Sequence, residues 1–204
     1  MQITSKKQLK FFIAADRMIN RGHFKVSISD RIKQILFPDD IMTYLVVMRK
    51  TSFYKNGKGL SKIKYIYYHR RYHTLGIKLG FSIGCDVFGY GLRIPHHGTI
   101  VVGGSNRIGN YAVLHTSICI SNNEKHIGDG LYCATGAIMT SPLTLGNNIS
   151  VGANSLVNKS FDYDNALIGG VPAKFLKNEE AWYLRDHYEQ KIDKIEKLKK
   201  QYGL

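Results

Sequence analysis

Cysteine, proline and tryptophan are scarce in this sequence of 204 residues, which contains three, four and one of them respectively. Cys85, Cys119 and Cys133 are an odd number and form no CxxC pair, so we expect small buried thiols rather than disulfides or a zinc site. No run of about 18 apolar residues is present, which argues against a transmembrane helix. The apolar run from Phe11 to Ala15 is too short for a secretory signal, so we expect a cytoplasmic protein.

Acidic residues are also scarce, with 15 Asp and Glu against 29 Lys and Arg, which gives a net charge of +14. The stretch from Gly80 to Pro172 holds few of these basic residues, so most of the positive charge lies outside it. No nucleic-acid-binding motif accompanies the charge, and nucleic acid is not an expected partner. A phosphate-rich small ligand, a glycan carrier and an anionic membrane surface contacted by basic helices stay open, beside simple solvation of charged faces.

An aliphatic side chain recurs about every six residues through the middle of the chain. The members are Ile94, Ile100, Ile108, Leu114, Ile120, Ile127, Cys133, Met139, Leu145, Val151 and Val157. A helix repeats at about 3.6 residues and a strand at 2, whereas a period of six followed by small residues indicates the hexapeptide repeat of a parallel β-helix. We therefore predict a rod with three walls, one inward aliphatic side chain per wall and coils about 4.8 Å apart. Short antiparallel strands with glycine turns are the alternative.

The chain divides into three predicted parts. Residues 1–78 lack the repeat and are predicted to be an N-terminal α-helical domain, residues 79–176 the β-helix, and residues 177–204 a basic C-terminal helix that caps the coil end or contacts a neighbouring subunit. Two extra residues are assigned to Gly103–Arg107 and one to Ser121–His126. This assignment predicts insertions at the same corner of successive coils, beside which a cleft would form.

Two histidines come from adjacent rungs of one predicted wall. Counting one coil predicts that His96 stacks on Thr116 and that His115 lies under Pro95, which brings the two imidazoles within several ångström. Imidazole suits general-base chemistry at neutral pH and can take a proton from a hydroxyl that attacks a thioester. Plain polar surface is one alternative. A zinc site built from histidines of neighbouring chains is another, although no third ligand spacing is evident.

Longer motifs resemble a known family. The runs GYGLRIPHHGTIVVGG, RIGNYAVLHTSICIS, KHIGDG, NNISVGANSLV and GGVPAKFLK are similar to the serine O-acetyltransferase branch of the hexapeptide acyltransferases. They are most similar to members found in polysaccharide and capsule gene sets. The resemblance covers about half of the chain, from Arg71 to Lys177. It implies a left-handed parallel β-helix, a homotrimer with active sites between subunits, and acetyl-CoA as the co-substrate, with no metal expected.

The resemblance also implies roles for particular residues. His96 falls on the family's catalytic histidine and would be the base that deprotonates the acceptor hydroxyl. The coil-end groups that meet coenzyme A in the family correspond to Ala153, Gly169, Gly170 and Lys174. Lys174 would approach a phosphate as a point charge, with a solvated lysine as the alternative.

Departures from the family's pattern bear on the substrate. The serine enzymes place a carboxylate just before the catalytic histidine to meet the ammonium of serine, and this chain has Pro95 there. They orient the histidine with an aspartate earlier in the coil, where this chain has Phe81, and the nearest carboxylate is Asp86. Since an unpaired charge is costly to bury, free serine would be poorly recognised. We therefore predict acetyl transfer to a hydroxyl of a sugar in a surface polysaccharide or its precursor.

A second histidine of the family lies in a long glycine-rich loop, which is short in this chain. Glu124 falls nearest to its position, and His126 follows two residues later. We expect His115 or Glu124 to position or polarise the reactants beside His96. Three alternatives stay open: serine O-acetylation for cysteine synthesis, a non-catalytic β-helix binding module, and a zinc hydratase of β-helix form.

Overall fold

The structure is a computed structural model that describes residues 2–204. Four helices precede the rod: α1 (Lys6–Arg21), α2 (Ile28–Leu36), α3 (Asp40–Tyr54) and α4 (Leu60–Leu79). Side chains of Ser5, Ser27 and Asp39 accept hydrogen bonds from the first turns of α1, α2 and α3. Within the described residues no helix is long and apolar enough to span a membrane.

Short strands then wind into a rod with three walls. The strands are β1 (Phe81–Ile83), β2 (Ile100–Val102), β3 (Arg107–Ile108), β4 (Val113–Leu114), β5 (Ile118–Ile120), β6 (His126–Ile127), β7 (Tyr132–Cys133), β8 (Ile138–Met139), β9 (Thr144–Leu145), β10 (Ile149–Val151), β11 (Leu156–Val157), β12 (Ala166–Gly170) and β13 (Ala173–Asn178). Wall A has the order β1-β2-β5-β8-β11, wall B the order β3-β6-β9 and wall C the order β4-β7-β10-β12-β13. All neighbours pair in parallel except β12 and β13.

The predicted inward positions form the interior of this rod, and the predicted left-handed parallel β-helix is confirmed. The buried inward side chains include Val102, Ile120, Met139 and Val157 on wall A, Ile108, Ile127 and Leu145 on wall B, and Leu114, Cys133, Val151 and Ile168 on wall C. The edges are named here by the walls that they join. The C–A edge comprises residues 95–99, 115–117, 134–137 and 152–155, and the A–B edge residues 84–87, 103–106, 121–125 and 140–143.

The predicted place of the two-residue insertion is wrong. Ile100 pairs with Ile118, whereas Arg93 pairs with Val113, so the two extra residues lie within 95–99 on the C–A edge. Both Ile100 and Val102 are buried because alternate residues of a strand face the same side, and their spacing alone did not distinguish them. The single extra residue lies within 121–125 on the A–B edge. The two insertions therefore lie on different edges, and the two-residue insertion contains His96.

Helix α3 covers the first coil. Its side chains Tyr44, Leu45 and Met48 share one hydrophobic core with Phe81 and Ile83. The helices and the rod therefore share buried surface, and the division into separate domains at residue 78 stays a prediction.

The C-terminal segment differs from the single helix predicted for residues 177–204. It contains the end of β13 and two helices, α5 (Trp182–Arg185) and α6 (Glu189–Gln201). Trp182 is buried and donates from Nε1 to the carbonyl of Tyr111 at 2.8 Å. Helix α6 contacts α1, and Tyr90 donates a hydrogen bond to Glu196 at 2.8 Å. The segment therefore packs along the side of its own rod rather than capping the last coil.

Candidate active site

The C–A edge carries both histidines singled out in the sequence. Their ring centroids lie 6.4 Å apart, so the structure brings His96 and His115 together. Their predicted register is wrong in detail, because a Cβ added at Gly98 would lie 3.1 Å from the Cγ2 of Thr116. Thr116 therefore faces Gly98 rather than His96. His96 lies in the two-residue insertion, where its side chain is exposed.

His115 is enclosed more tightly than His96. Its ring lies 5.2 Å from that of Tyr132, and its Nε2 is buried without a hydrogen-bond partner among the described residues. Burial lowers the pKa of His115, and the positive charge of Arg93 and the neighbouring His96 lower it further, against a smaller opposite effect of Asp186. The site therefore favours the uncharged imidazole more than water does.

Arg93 and Asp186 belong to the surroundings of His115, and sequence reasoning missed both. The Arg93 guanidinium lies 5.7 Å from the ring centroid of Trp182 and 4.7 Å from that of Tyr188. Its Nη1 is 3.8 Å from Oδ2 of Asp186, and the other carboxylate oxygen, Oδ1, is 3.4 Å from Nε of Arg185. The place of Arg93 on wall C could have been predicted, because Arg93 directly precedes Ile94, a position of the six-residue repeat. Asp186 gave no signal, because its position depends on how α5 docks.

Of the residues predicted to meet coenzyme A, Ala153 lies farther along the same edge, and the other three lie in the hairpin of β12 and β13. Ala153 is exposed three rungs from His96, which corresponds to about 14 Å at the usual strand spacing. Gly169 and Gly170 end β12 and pair with Lys174 and Ala173 across the last hairpin. The amide of Gly170 donates to the hydroxyl of Ser155 on the C–A edge at 3.1 Å. The C–A edge therefore leads from the histidines to Ala153 and, through Ser155, to Gly170 in the last hairpin.

Asp86 and Glu124 lie on the A–B edge and not beside the histidines of their own chain. The Asp86 carboxylate accepts from the hydroxyl of Ser52 at 2.5 Å and from Nζ of Lys55 at 2.6 Å. Partial burial raises its pKa, but these hydrogen bonds outweigh burial and hold the pKa below its usual range. The expectation that Asp86 orients His96 is therefore not supported within one chain. Glu124 is exposed, with its backbone at a positive φ of 52°.

Metal ligands are not clustered in the described part of the chain. No three His, Cys, Asp or Glu side chains there are placed to hold one metal ion. The three thiols are free, and Cys133 is buried inside the rod.

Comparison with known proteins shows a partial sequence similarity to a serine acetyltransferase. No family model matches the sequence. It is 28% identical over 117 residues to a serine acetyltransferase of Staphylococcus xylosus, a match that covers 54% of this chain and 51% of the relative. The chain therefore spans about half the length of this curated relative.

Solved structures of serine acetyltransferases share the fold. The structure from Neisseria gonorrhoeae matches with a TM-score of 0.59 and 20% identity, over 84% of this chain and 68% of that one. The soybean enzyme complexed with serine matches with a TM-score of 0.62 and 17% identity, over 83% of this chain and 70% of that one. A serine acetyltransferase complexed with CoA matches with a TM-score of 0.60 and 17% identity, over 84% of this chain and 71% of that one. The resemblance found in the sequence is thus confirmed: this chain is similar in sequence to a serine acetyltransferase and has the hexapeptide-repeat acyltransferase fold.

Proposed function

We propose that the protein is an O-acetyltransferase that moves acetyl from acetyl-CoA to a hydroxyl of a sugar in a surface polysaccharide or its precursor. The observation that carries this proposal is the C–A edge. An exposed imidazole, His96, lies at one end of it, Ala153 lies farther along it, and Gly170 at the end of β12 adjoins it through a hydrogen bond to Ser155. An extended acetyl-CoA molecule lying along this edge would contact His96 with its thioester and Ala153 farther along. The similarity to a serine acetyltransferase and the shared fold of one complexed with CoA support the same chemistry.

In this proposal His96 is the general base. It takes the proton of the acceptor hydroxyl while that oxygen attacks the thioester carbonyl, and the resulting oxyanion is stabilised by donors at the edge. The C–S bond then breaks, and the coenzyme A thiolate leaves with the proton returned from His96. His115 stays uncharged and positions the reactants through its unpartnered Nε2. Lys174 would meet a phosphate of the coenzyme as a point charge.

The charges at the edge favour an acceptor without an ammonium group. Asp186 is the carboxylate whose charge acts on His115, and it is already paired with Arg93 and Arg185. Pro95 supplies no charge of its own. An ammonium brought to this edge would therefore lose water without gaining a free carboxylate from its own chain, and a carboxylate partner would have to come from a neighbouring copy. A neutral sugar hydroxyl avoids this cost. Free serine is the second candidate, because the matched relative is a serine acetyltransferase.

We further propose that three copies form a ring and that each site takes residues from two of them. Glu124 lies on the same coil as His115, on the other side of wall A. Rotation about an axis parallel to the rod leaves height along the rod unchanged. A neighbouring copy would therefore present Glu124 at the height of His115, and a ring uses two different surfaces at each contact. Asp86 lies on the same edge, so it too would come from the neighbour.

The test compares His96→Ala with His97→Ala, because the two histidines are adjacent and both exposed. Release of the coenzyme A thiol from acetyl-CoA is followed with a de-O-acetylated surface oligosaccharide and, separately, with free serine. We expect turnover of the sugar, a fall in kcat of about 10²- to 10⁴-fold in His96→Ala, and little change in His97→Ala. Normal turnover in His96→Ala would remove its role as the base.

The acceptor comparison separates the alternatives. Faster turnover of serine than of the sugar would assign the protein to serine O-acetylation. No turnover of either acceptor, together with no binding of coenzyme A by calorimetry, would indicate a non-catalytic binding module.

A further inference from the structure

The helices at the N-terminal end of the rod carry charge of one sign. Residues 41–85, which include most of α3 and all of α4, contain no Asp or Glu. The same stretch contains nine basic residues: Arg49, Lys50, Lys55, Lys58, Lys62, Lys64, Arg70, Arg71 and Lys78. A surface of this kind attracts anions over the distance of the Debye length.

Some of these cations are neutralised within the chain, and others are not. Arg49 pairs with Asp16, Lys55 with Asp86 and Lys78 with Asp40. The side chains of Lys62, Arg70 and Arg71 are exposed and form no ion pair in the part of the chain described by the structure. All three lie on α4, so a single helix presents several unneutralised charges to solvent.

Large apolar side chains are exposed among these cations. On α4, Ile63 and Ile66 are 64% and 58% exposed, and their spacing of three and four places them on one face with Arg70. On α2 no residue is buried, and Ile28, Ile35 and Phe37 at its ends are about four-fifths exposed. Exposed apolar residues in such numbers mark an interaction surface rather than an ordinary solvated face.

A groove of about 770 Å³ lies between these helices. Its floor comes from α3 and includes Val46 and Val47, and Phe37 closes one side. Charged residues of both signs line the groove: the carboxylates of Asp30 and Asp39, of which Asp39 pairs with Arg21, and the basic residues Arg17, Arg21, Arg31, Lys33, Lys50 and Arg71. Helix α4 reaches this groove through Tyr68, which lies on the opposite side of the helix from Ile63 and Ile66, so the groove and the outward side of α4 are separate surfaces.

We propose that the outward side of α4, which carries Ile63, Ile66 and Arg70 and is called here the basic helical face, docks on an anionic lipid membrane. The exposed side chains of Ile63 and Ile66 enter the boundary between head groups and acyl chains, while the Lys and Arg side chains of α4 meet anionic head groups. Helix α4 has 20 residues and is therefore about 30 Å long, enough to lie flat on such a surface. A second copy of the chain fits less well, because it would bring the same positive charges together.

The test is cosedimentation of the full chain with vesicles. One set contains phosphatidylglycerol and phosphatidylcholine in equal parts, and the other contains phosphatidylcholine alone. We expect binding to the anionic set only, with weaker binding as salt is added. The triple variant K62Q/R70Q/R71Q should bind about a hundredfold more weakly, which is about fivefold for each cation near anionic head groups.

The matched control is K194Q/K197Q/K200Q, which removes three exposed charges from α6 and gives the same net charge. It should bind as the wild type does. An equal loss in both triple variants, or equal binding to both vesicle sets, would overturn the proposal. Light scattering gives a further outcome that would overturn the proposal. If the mass of the wild type rises with concentration, and only the α4 variant has a lower mass, the face serves self-association.

A second variant separates docking from misfolding. I63S/I66S keeps every charge and replaces two exposed side chains, so its unfolding midpoint should match that of the wild type. We expect weaker binding to the anionic vesicles at every salt concentration. Unchanged binding of this variant would contradict insertion of the apolar side chains.

Discussion

At the scale of single residues, His115 holds an unusual position for an imidazole. It lies on a solvent-facing edge, yet its Nε2 is buried and has no partner among residues 2–204. A ring nitrogen of this kind is satisfied by water, by a ligand or by a neighbouring subunit. The same enclosure and the nearby Arg93 hold the pKa of His115 below its ordinary value.

This lowered pKa predicts how stability depends on pH. The unfolded chain takes up a proton at His115 near the ordinary histidine pKa of about 6.5, whereas the folded chain takes it up at lower pH. The free energy of unfolding should therefore fall as the pH drops below about 6.5. Urea unfolding of the wild type and of His115→Gln, measured from about pH 7 to about pH 5, checks this. The variant is expected to lose less stability over that range.

The control for this measurement is His97→Gln, whose side chain is exposed. It should retain the pH dependence of the wild type. A wild-type curve parallel to that of His115→Gln would show that His115 is protonated equally readily in both states.

The sequence predicted which histidines meet, but not how they meet. A period of six is set by side chains that face a shared interior, so it assigned His96 and His115 to neighbouring rungs and the same edge. It did not locate the two extra residues, because Ile100 and Val102 are both buried and either fits the repeat. Asp186 could not be found, since it reaches the edge only through the docking of α5.

At the scale of elements, one buried ion pair joins the helices to the rod. The Arg49 guanidinium donates to both carboxylate oxygens of Asp16, at 2.8 and 3.1 Å. It also donates to the carbonyls of Phe88 and Gly89 at the first coil. Asp16 accepts in addition from the amide of Leu92 at 3.0 Å. Three elements, α1, α3 and the first coil, therefore depend on two side chains that are fully buried.

Breaking this pair should be costly. Removing either partner leaves the other charge buried, so Arg49→Met and Asp16→Asn are each expected to lower the free energy of unfolding by about 3–5 kcal/mol. The double variant should cost less than the sum of the two, because the second substitution removes the stranded charge. Denaturant unfolding of the four proteins measures the coupling. The control Arg21→Gln breaks an exposed pair with Asp39 and should cost about 0–1 kcal/mol.

The C-terminal segment marks the limit of sequence reasoning at this scale. Apolar residues at helical spacing predicted one helix, but the segment contains a strand and two helices. Its direction is set by tertiary contacts, above all the burial of Trp182 against Tyr111, and periodicity carries no information on such contacts.

The ion-pair experiment has one outcome that would contradict its prediction. If the effects of Arg49→Met and Asp16→Asn on the free energy of unfolding were fully additive, the ion pair would not be what joins the helices to the rod.

At the scale of the whole molecule, the two candidate edges are separated by wall A. His96 lies on the C–A edge and Glu124 on the A–B edge of one chain. They can act together only across an interface between copies. A ring of three parallel rods supplies such an interface, and it pairs residues at equal height along the rod.

Mixed trimers test this arrangement. Chains carrying His96→Ala and chains carrying Glu124→Ala are expected to be poorly active alone. When they are coexpressed in equal amounts, about three quarters of the trimers contain both chains, and each of these has one interface with both residues intact. One active site in three then gives about one quarter of the wild-type rate. Thiol release measured on the purified mixture is the readout.

The outcome depends on which chains share a site. If His96 acted only with groups of its own chain, every site would lack one functional residue, and coexpression would give only the average of the two variants. Normal turnover in Glu124→Ala alone would instead exclude Glu124 from the reaction. A mixture made after folding, from separately purified trimers that do not exchange subunits, is the matched control and should stay inactive. Recovery confined to coexpressed chains would therefore require that a site be assembled from two copies.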